Sequence, residues 1–211
     1  MRGKQWIEQF IIQTPKLYDK YTRTMPESWY SPGEWTKFLY KIMNIIGDEL
    51  NCEVVHKLNN KKRNPKNEGK VRKEYLNIDV TFYDATEYKS AIKGYHSDPL
   101  VLPVALLELE NSYNIDKISS CLYKLLRNIT SIRVLICYQT SKVKRNKLIS
   151  HLEKVIHDGD LTKYVGNTDT YVVVGNDDNK NDVETWNAYY SIYELIGKKF
   201  EKIEELKWYE E

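Results

Sequence analysis

Two stretches decide the fold: LNIDVTFYD at Leu76–Asp84 and VALLELEN at Val104–Asn111. Apolar and polar residues alternate in the first, which predicts a half-buried strand with Asp79 in its middle. The second is apolar on both faces until Glu108, which predicts a central strand. Glu108 and Glu110 are two residues apart, so both side chains project from one face of that strand. If the two strands pair, the three carboxylates converge.

Helices and strands alternate around these stretches. Apolar spacing predicts helices over 33–49, 115–128 and 143–157, strands over 52–58, 74–83, 101–110, 132–138 and 171–174, and a long aromatic-rich helix over 183–206. One or two short helices interrupted at Pro15 are expected over 6–21, and a turn region over 89–99. Strands that first form a meander and are then joined across helices predict an α/β fold with a mixed sheet flanked by helices.

The chain of 211 residues fits one compact domain with terminal additions. We expect an N-terminal helical extension over 1–32, an α/β core over 33–176 and a C-terminal helix over 177–211 that packs on the core or at an interface. A homodimer is compatible with the aromatic spacing of that last helix, at Trp186, Tyr189, Tyr190 and Tyr193. The more common role of such a stripe is a core position.

Several classes of protein lack support in the sequence. No apolar run is long enough to span a bilayer, and the N-terminal residues do not have the apolar stretch of a signal peptide, so we expect a cytoplasmic protein without a membrane partner. The three cysteines form no CxxC pair and are expected to be reduced. The four histidines form no zinc motif, and no glycine-rich phosphate loop occurs, which argues against a nucleotide cofactor.

The charge is divided unevenly along the chain. The 32 basic and 30 acidic residues leave a net charge of only +2. From Lys57 to Lys73, however, eight cations face a single acid, Glu68. A basic loop of this kind suits contacts with a phosphate backbone, although a merely solvated loop is an equal alternative. The nucleic-acid contacts expected there are Lys61, Lys62, Arg63, Lys66, Lys70, Arg72 and Lys73.

Three clustered carboxylates require compensation, because like charges in a partly desolvated site repel each other. A divalent cation that prefers oxygen ligands, Mg²⁺ or Mn²⁺, is the natural compensation for Asp79, Glu108 and Glu110. The alternative is that these acids are solvated or paired with lysines. The apolar context of the acids and the nearby basic loop favour the metal site.

These residues carry a resemblance to a known family. The order helix, strand, strand with Asp (LNIDVTFYD), strand with two acids (VALLELEN), helix, strand resembles the core of the PD-(D/E)XK restriction-endonuclease-like nucleases over Gly33–Thr140. The resemblance implies that Asp79 and Glu108 are the acidic pair of the motif, and that Glu34 is the frequent glutamate of the first core helix and a metal ligand. Glu110 stands where most members have lysine, an E-x-E pattern that is similar to the BamHI type.

The resemblance implies a Mg²⁺-dependent endonuclease that hydrolyses DNA, with Asp79, Glu108 and Glu110 as its catalytic residues and Glu110 as general base or water positioner. A lysine of the next helix, Lys117 or Lys124, is an alternative source of the missing ammonium, although solvated helix cations are the more common outcome. Two rivals remain. One is an inactive nucleic-acid-binding protein of the same fold, and the other is a glycosidase with a carboxylate pair, which the basic loop disfavours.

Overall fold

The computed structural model describes residues 3–22, 32–56, 77–94, 101–166, 168–176 and 189–203. Within these residues lie six helices: α1 Gly3–Thr22, α2 Pro32–Glu49, α3 Ala85–Gly94, α4 Ile115–Leu126, α5 Lys142–Asp158 and α6 Thr162–Val165. The seven strands are β1 Cys52–His56, β2 Val80–Asp84, β3 Ala105–Glu110, β4 Ile132–Gln139, β5 Asp169–Asn176, β6 Tyr190–Ile196 and β7 Lys199–Lys202.

All seven strands form one mixed sheet in the order of the chain, β1-β2-β3-β4-β5-β6-β7. Strands β1 to β3 pair antiparallel, β3 to β5 pair parallel, and β5 to β7 pair antiparallel. The parallel pairs require crossover connections, which α4 and α5 supply. The predicted α/β fold with a mixed sheet flanked by helices is confirmed.

Each face of the sheet packs against its own helices. Val80, Phe82 and Leu107 point to one side, where they form a core with residues of α1 and α2; we call this the α1/α2 face. Leu106 and Leu135 point to the other side and pack with residues of α4 and α5; we call this the α4/α5 face. Alternation along each strand therefore decides which helices a side chain meets.

Five predicted elements are confirmed to within two residues, namely the helices at 33–49, 115–128 and 143–157 and the strands at 132–138 and 171–174. Strand β3 begins at Ala105 and not at Val101, because Pro103 has no N–H for a strand ladder. In the N-terminal region one continuous helix replaces the expected interruption, with Pro15 inside α1. Trp6 and Phe10 of this helix are fully buried in the core of the α1/α2 face, and this packing outweighs the cost of the proline.

The long C-terminal helix predicted over 183–206 is wrong where the structure describes it. Residues 190–202 form the hairpin β6–β7, which turns at Gly197 with a positive φ of 63°. Tyr190 and Ile192 face the α1/α2 side, whereas Tyr193 and Leu195 face the α4/α5 side. Because Tyr190 and Tyr193 divide between two faces, they form no single helical stripe. Trp186 lies outside the described residues, and the homodimer stays a prediction.

The turn region predicted over 89–99 is wrong up to residue 94, because α3 continues to Gly94. Residues 95–99 lie outside the described part of the chain. Helix α3 buries Ala85 and Tyr88, and the Tyr88 ring lies 5.0 Å from that of Tyr83 in β2. In the part of the chain that the structure describes, no helix is long and apolar enough to span a membrane.

Candidate functional site

The structure brings Asp79 and Glu108 together at one edge of the β2–β3 pair. Val80 of β2 lies opposite Leu107 of β3, and the antiparallel register continued by one residue sets Asp79 opposite Glu108. The main-chain N–H of Leu109 donates a hydrogen bond of 2.9 Å to Oδ2 of Asp79. This hydrogen bond to the residue after Glu108, and the effect of Asp79 on the pKa of Glu108, both indicate that the two carboxylates lie close together.

Asp79 is not in the middle of a strand, as the alternation predicted. It lies in the bend just before β2, which begins at Val80. Asn77 has a positive φ of 59°, which is incompatible with a regular strand, and this ends the ladder at the acid. The strand prediction for residues 74–76 lies outside the described residues.

Glu108 is a buried acid, with only 2% of its surface exposed. The pKa of its carboxyl is raised to about 7, chiefly by burial and to a smaller extent by the negative charge of Asp79, while the ammonium of Lys124 opposes the rise. Near neutral pH the carboxyl is therefore close to half ionised. A group that changes charge at this pH, beside a second carboxylate, is typical of a site that binds cations or transfers protons.

Lys124 of α4 is the cation of this site. Its Nζ lies 2.7 Å from Oε1 of Glu108 and donates a hydrogen bond of 2.9 Å to the carbonyl oxygen of Asn77. Its side chain is one-third exposed (33%), so the ammonium reaches both Glu108 and solvent. This contact agrees with the alternative that the acids pair with lysines, while the role of Lys124 as a source of the missing ammonium stays a prediction. The available signal was its place on the helix that directly follows the strand of Glu108, because that helix must pack back onto the sheet.

Glu110 lies on the same face as Glu108 and shares with it the contact to Cys121. Its Oε1 accepts a hydrogen bond of 2.7 Å from the main-chain N–H of Ser112, and its Oε2 lies 3.9 Å from Sγ of Cys121. Burial raises the pKa of the Cys121 thiol to about 12, with further increases from Glu108 and Glu110, so the sulfur stays protonated and can donate. Glu110 thus holds the connection between β3 and α4.

Glu34 is not brought to the acids. It lies in the first turn of α2, on the opposite side of the sheet from Glu108, and forms an ion pair with Lys37. An acid in the first turn of a helix is also favoured by the helix dipole, which accounts for its position. Its predicted role as a metal ligand has no support in the geometry.

The donor set fits a metal ion only in part. Within the described ranges no group of three or more His, Cys, Asp or Glu side chains could hold a metal ion. Mg²⁺ in phosphate-transferring sites is held by one or two carboxylates together with substrate oxygens and water, and Asp79 and Glu108 meet that smaller requirement. The site thus offers two carboxylates, with the ammonium of Lys124 beside them, and no third ligand among the described residues.

The seven predicted nucleic-acid contacts cannot be placed, because Lys61, Lys62, Arg63, Lys66, Lys70, Arg72 and Lys73 all lie outside the described residues. They stay a prediction of the sequence. No family model, no curated protein and no solved structure matches the chain.

Proposed function

We propose that this protein is a metal-dependent endonuclease that hydrolyses phosphodiester bonds of DNA. One observation carries the proposal: Asp79, in the bend just before β2, lies beside Glu108 of β3, and Nζ of Lys124 is 2.7 Å from Oε1 of Glu108. Two carboxylates and an ammonium are the groups needed to hold Mg²⁺ and to contact a phosphate.

The topology supports the proposal as well. The elements α2, β1, β2, β3, α4 and β4 follow one another in the order that the resemblance to PD-(D/E)XK nucleases implies. Strands β1 to β3 are antiparallel, and β4 returns parallel to β3 through α4. Helix α3, between β2 and β3, is an addition to that order.

Each residue has a distinct role in the proposed reaction. Asp79 and Glu108 would hold Mg²⁺ or Mn²⁺, with Asp79 oriented by the N–H of Leu109. The ion supplies Lewis-acid polarisation of the scissile phosphate and lowers the pKa of a bound water. Lys124 takes the place of the strand lysine that Glu110 replaces, because its ammonium keeps Glu108 ionised and can then orient the attacking water or a phosphate oxygen.

Glu110 has a positioning role in this proposal. It fixes the start of α4 through Ser112 and Cys121, and α4 in turn carries Lys124. The basic segment from Lys57 to Lys73 lies outside the described residues, and in this proposal it would bind the DNA backbone.

The test is cleavage of supercoiled plasmid in Mg²⁺ or Mn²⁺ by the wild type and by Asp79→Asn, Glu108→Gln, Lys124→Met and Glu110→Gln. We expect the first two substitutions to reduce the rate at least ~1,000-fold, and Lys124→Met about 100-fold, since each removes a group that contacts metal or phosphate. Glu110→Gln serves as the matched control and should retain a rate within about threefold, because Gln Oε1 can still accept from Ser112.

The pH profile gives an independent check. The metal needs ionised Glu108, whose pKa is raised to about 7, so cleavage at limiting Mg²⁺ should increase as the pH rises through 7 and then level off. Lys124→Met should shift this rise to higher pH, because the ammonium lowers the pKa of Glu108. A profile that is flat between pH 6 and 8 in both proteins would count against Glu108 as a ligand.

An inactive nucleic-acid-binding protein is the second candidate. It is favoured by one observation, that Lys124 already neutralises Glu108 and that no third ligand joins the pair among the described residues. Salt-sensitive binding of DNA without any cleavage in Mg²⁺ or Mn²⁺ would establish this candidate. The absence of both binding and cleavage would exclude a nucleic-acid function.

A further inference from the structure

A second basic region, from Lys117 to Leu152, lies in the part of the chain that the structure describes. No Asp or Glu occurs from Lys117 to Leu152, whereas eight Lys and Arg residues do. This segment comprises α4, β4 and the first part of α5. It has as many cations as the segment from Lys57 to Lys73, spread over 36 residues instead of 17, and the structure describes all of them.

The structure separates six of these cations into two groups. Arg127, whose Nη1 donates to the hydroxyl of Tyr123, and the half-buried Arg145 belong to neither. Lys124 is paired with Glu108, and Arg133 is buried with 4% of its surface exposed. Four lysines are exposed instead and form no ion pair with any residue that the structure describes; we call them the basic track. They are Lys117 of α4 and Lys142, Lys144 and Lys147 of α5.

The basic track lies at one edge of the sheet. Strands β3 and β4 are parallel, so α4 and α5, which follow them, both begin at the carboxyl ends of the strands. Lys117 lies in the first turn of α4, and the three other lysines lie in the first two turns of α5. The four side chains thus come from two neighbouring helices, which contact each other.

Local stability does not explain these lysines. The first turn of α5 contains no acid, and cations there oppose the helix dipole, which favours negative charge at an N-terminus. No acidic residue lies within four positions of Lys142, Lys144 or Lys147, so none gains an ion pair along the helix. The first turn of α4 contains Asp116 beside Lys117, so the excess positive charge at this edge comes chiefly from the three lysines of α5, and it is complementary to a polyanion.

The track is continuous with the proposed site. Lys117 and Lys124 are seven residues apart on α4, or about 10 Å along the helix, so they share one flank. Leu135 lies opposite Glu108, and the four residues from there to the end of β4 at Gln139 extend about 13 Å toward α5. These distances span several phosphates of one nucleic-acid strand.

We propose that Lys117, Lys142, Lys144 and Lys147 bind the phosphodiester backbone of the nucleic acid as it leaves the site at Asp79 and Glu108. This inference deepens the proposed function and rests on it for the identity of the ligand. The track contacts phosphates only, so it contributes affinity and register and reads no base sequence.

The test is binding of a fluorescent 30-base-pair DNA duplex in EDTA, where no cleavage occurs, at a series of salt concentrations. The test variant is K142Q/K144Q/K147Q. The matched control is K198Q/K199Q/K202Q, which removes the same charge from the β6–β7 hairpin at the far end of the sheet. Single-stranded DNA and an RNA duplex are measured in parallel to identify which backbone is preferred.

We expect the test variant to reduce the slope of log K against log salt by about 2 to 3 and to weaken binding about 100-fold near 0.1 M salt, because each lost phosphate contact removes about 0.9 from the slope. The control should keep the slope of the wild type. Equal slopes in the wild type and the test variant would overturn the proposed role of the basic track. An equal decrease in DNA affinity in the test variant and the control variant would overturn it as well.

The outcomes for the track and for the nuclease can be told apart. Cleavage of plasmid by the wild type together with an unchanged slope in the test variant refutes the track and leaves the nuclease standing. A reduced slope without any cleavage in Mg²⁺ supports the track and refutes the nuclease. A wild type that binds none of the three nucleic acids refutes both.

Discussion

The two faces of the sheet differ in the ionisable side chains that they bury and in the charge of those side chains. In the core of the α1/α2 face, His56 stacks on Tyr40, and burial lowers its pKa to about 4, so it is neutral at physiological pH. The α4/α5 face instead buries Glu108 and Arg133. One face is thus a conventional apolar core, while the other retains charge at a cost in stability.

The two buried charges occupy opposite ends of the α4/α5 face. Glu108 is near the carboxyl end of β3, and Arg133 is near the start of β4, where its Nη2 donates to the carbonyl oxygen of Asn128 just beyond α4. Burial lowers the pKa of Arg133 to about 10, which still leaves it charged at neutral pH. Only Glu108 titrates near pH 7, so the pH dependence of stability should report on that end of the face.

The largest effect on stability is expected on the α1/α2 face. Leu107 is fully buried there, directly before Glu108 in the chain. Leu107→Ala should lower the free energy of unfolding by about 3 kcal/mol, through lost burial and the cavity that remains. Because no charge faces this side chain, the loss should be the same at pH 5 and pH 9 in denaturant titrations. A loss that varies with pH would show that the two faces are not independent.

The next largest effect is expected for Lys124→Met, and it should depend on pH. Below the raised pKa of Glu108 the carboxyl is protonated and needs no cation, so the variant should match the wild type at pH 5. At pH 9 the ionised carboxylate would be left buried without Lys124, and we expect a loss of about 2 kcal/mol, reduced because the lysine is one-third exposed. Lys117→Met, on the same flank of α4 but exposed, is the control and should show no such dependence.

The sequence was sufficient to predict the two strands at the centre of the sheet. The alternation around Val80 and the two-residue spacing of Glu108 and Glu110 predicted two paired strands with acids on one face, and β2 and β3 pair in that way. These patterns are local, so a short stretch of sequence contains them completely.

The contacts of the acids depend on tertiary packing, which the local pattern does not contain. Lys117 and Lys124 share one flank of α4, and only the position of the helix on the sheet brings Lys124 to Glu108 and leaves Lys117 in solvent. Similarly, Tyr189, Tyr190 and Tyr193 fit helical spacing, yet the residues from Tyr190 onward also alternate as a strand does. Pairing with β5 decides in favour of the strand.

The smallest effect at pH 8, and one of opposite sign, is expected for Glu108→Gln. The pKa of Glu108 is raised from the ordinary 4.5 to about 7, so between these values the unfolded chain ionises while the folded protein holds its proton, and the stability of the wild type falls as the pH rises. The amide cannot ionise and avoids this loss. Burial of the amide costs stability at every pH, whereas the raised pKa destabilises the wild type by about 3 kcal/mol between pH 4.5 and pH 8. The variant should therefore be about 2 kcal/mol less stable than the wild type near pH 4.5 and about 1 kcal/mol more stable at pH 8.

Calorimetry or denaturant titration at the two pH values measures this difference, and Glu110→Gln is the matched control, with no expected gain. A variant that is more stable and yet does not cleave DNA would indicate that Glu108 is retained for its chemistry and not for the fold. A Glu108→Gln protein that is less stable than the wild type at pH 8 would instead make the contact between Lys124 and Glu108 a structural ion pair. The α4/α5 face would then differ from the α1/α2 face only in its side-chain packing, because its buried charge would serve stability.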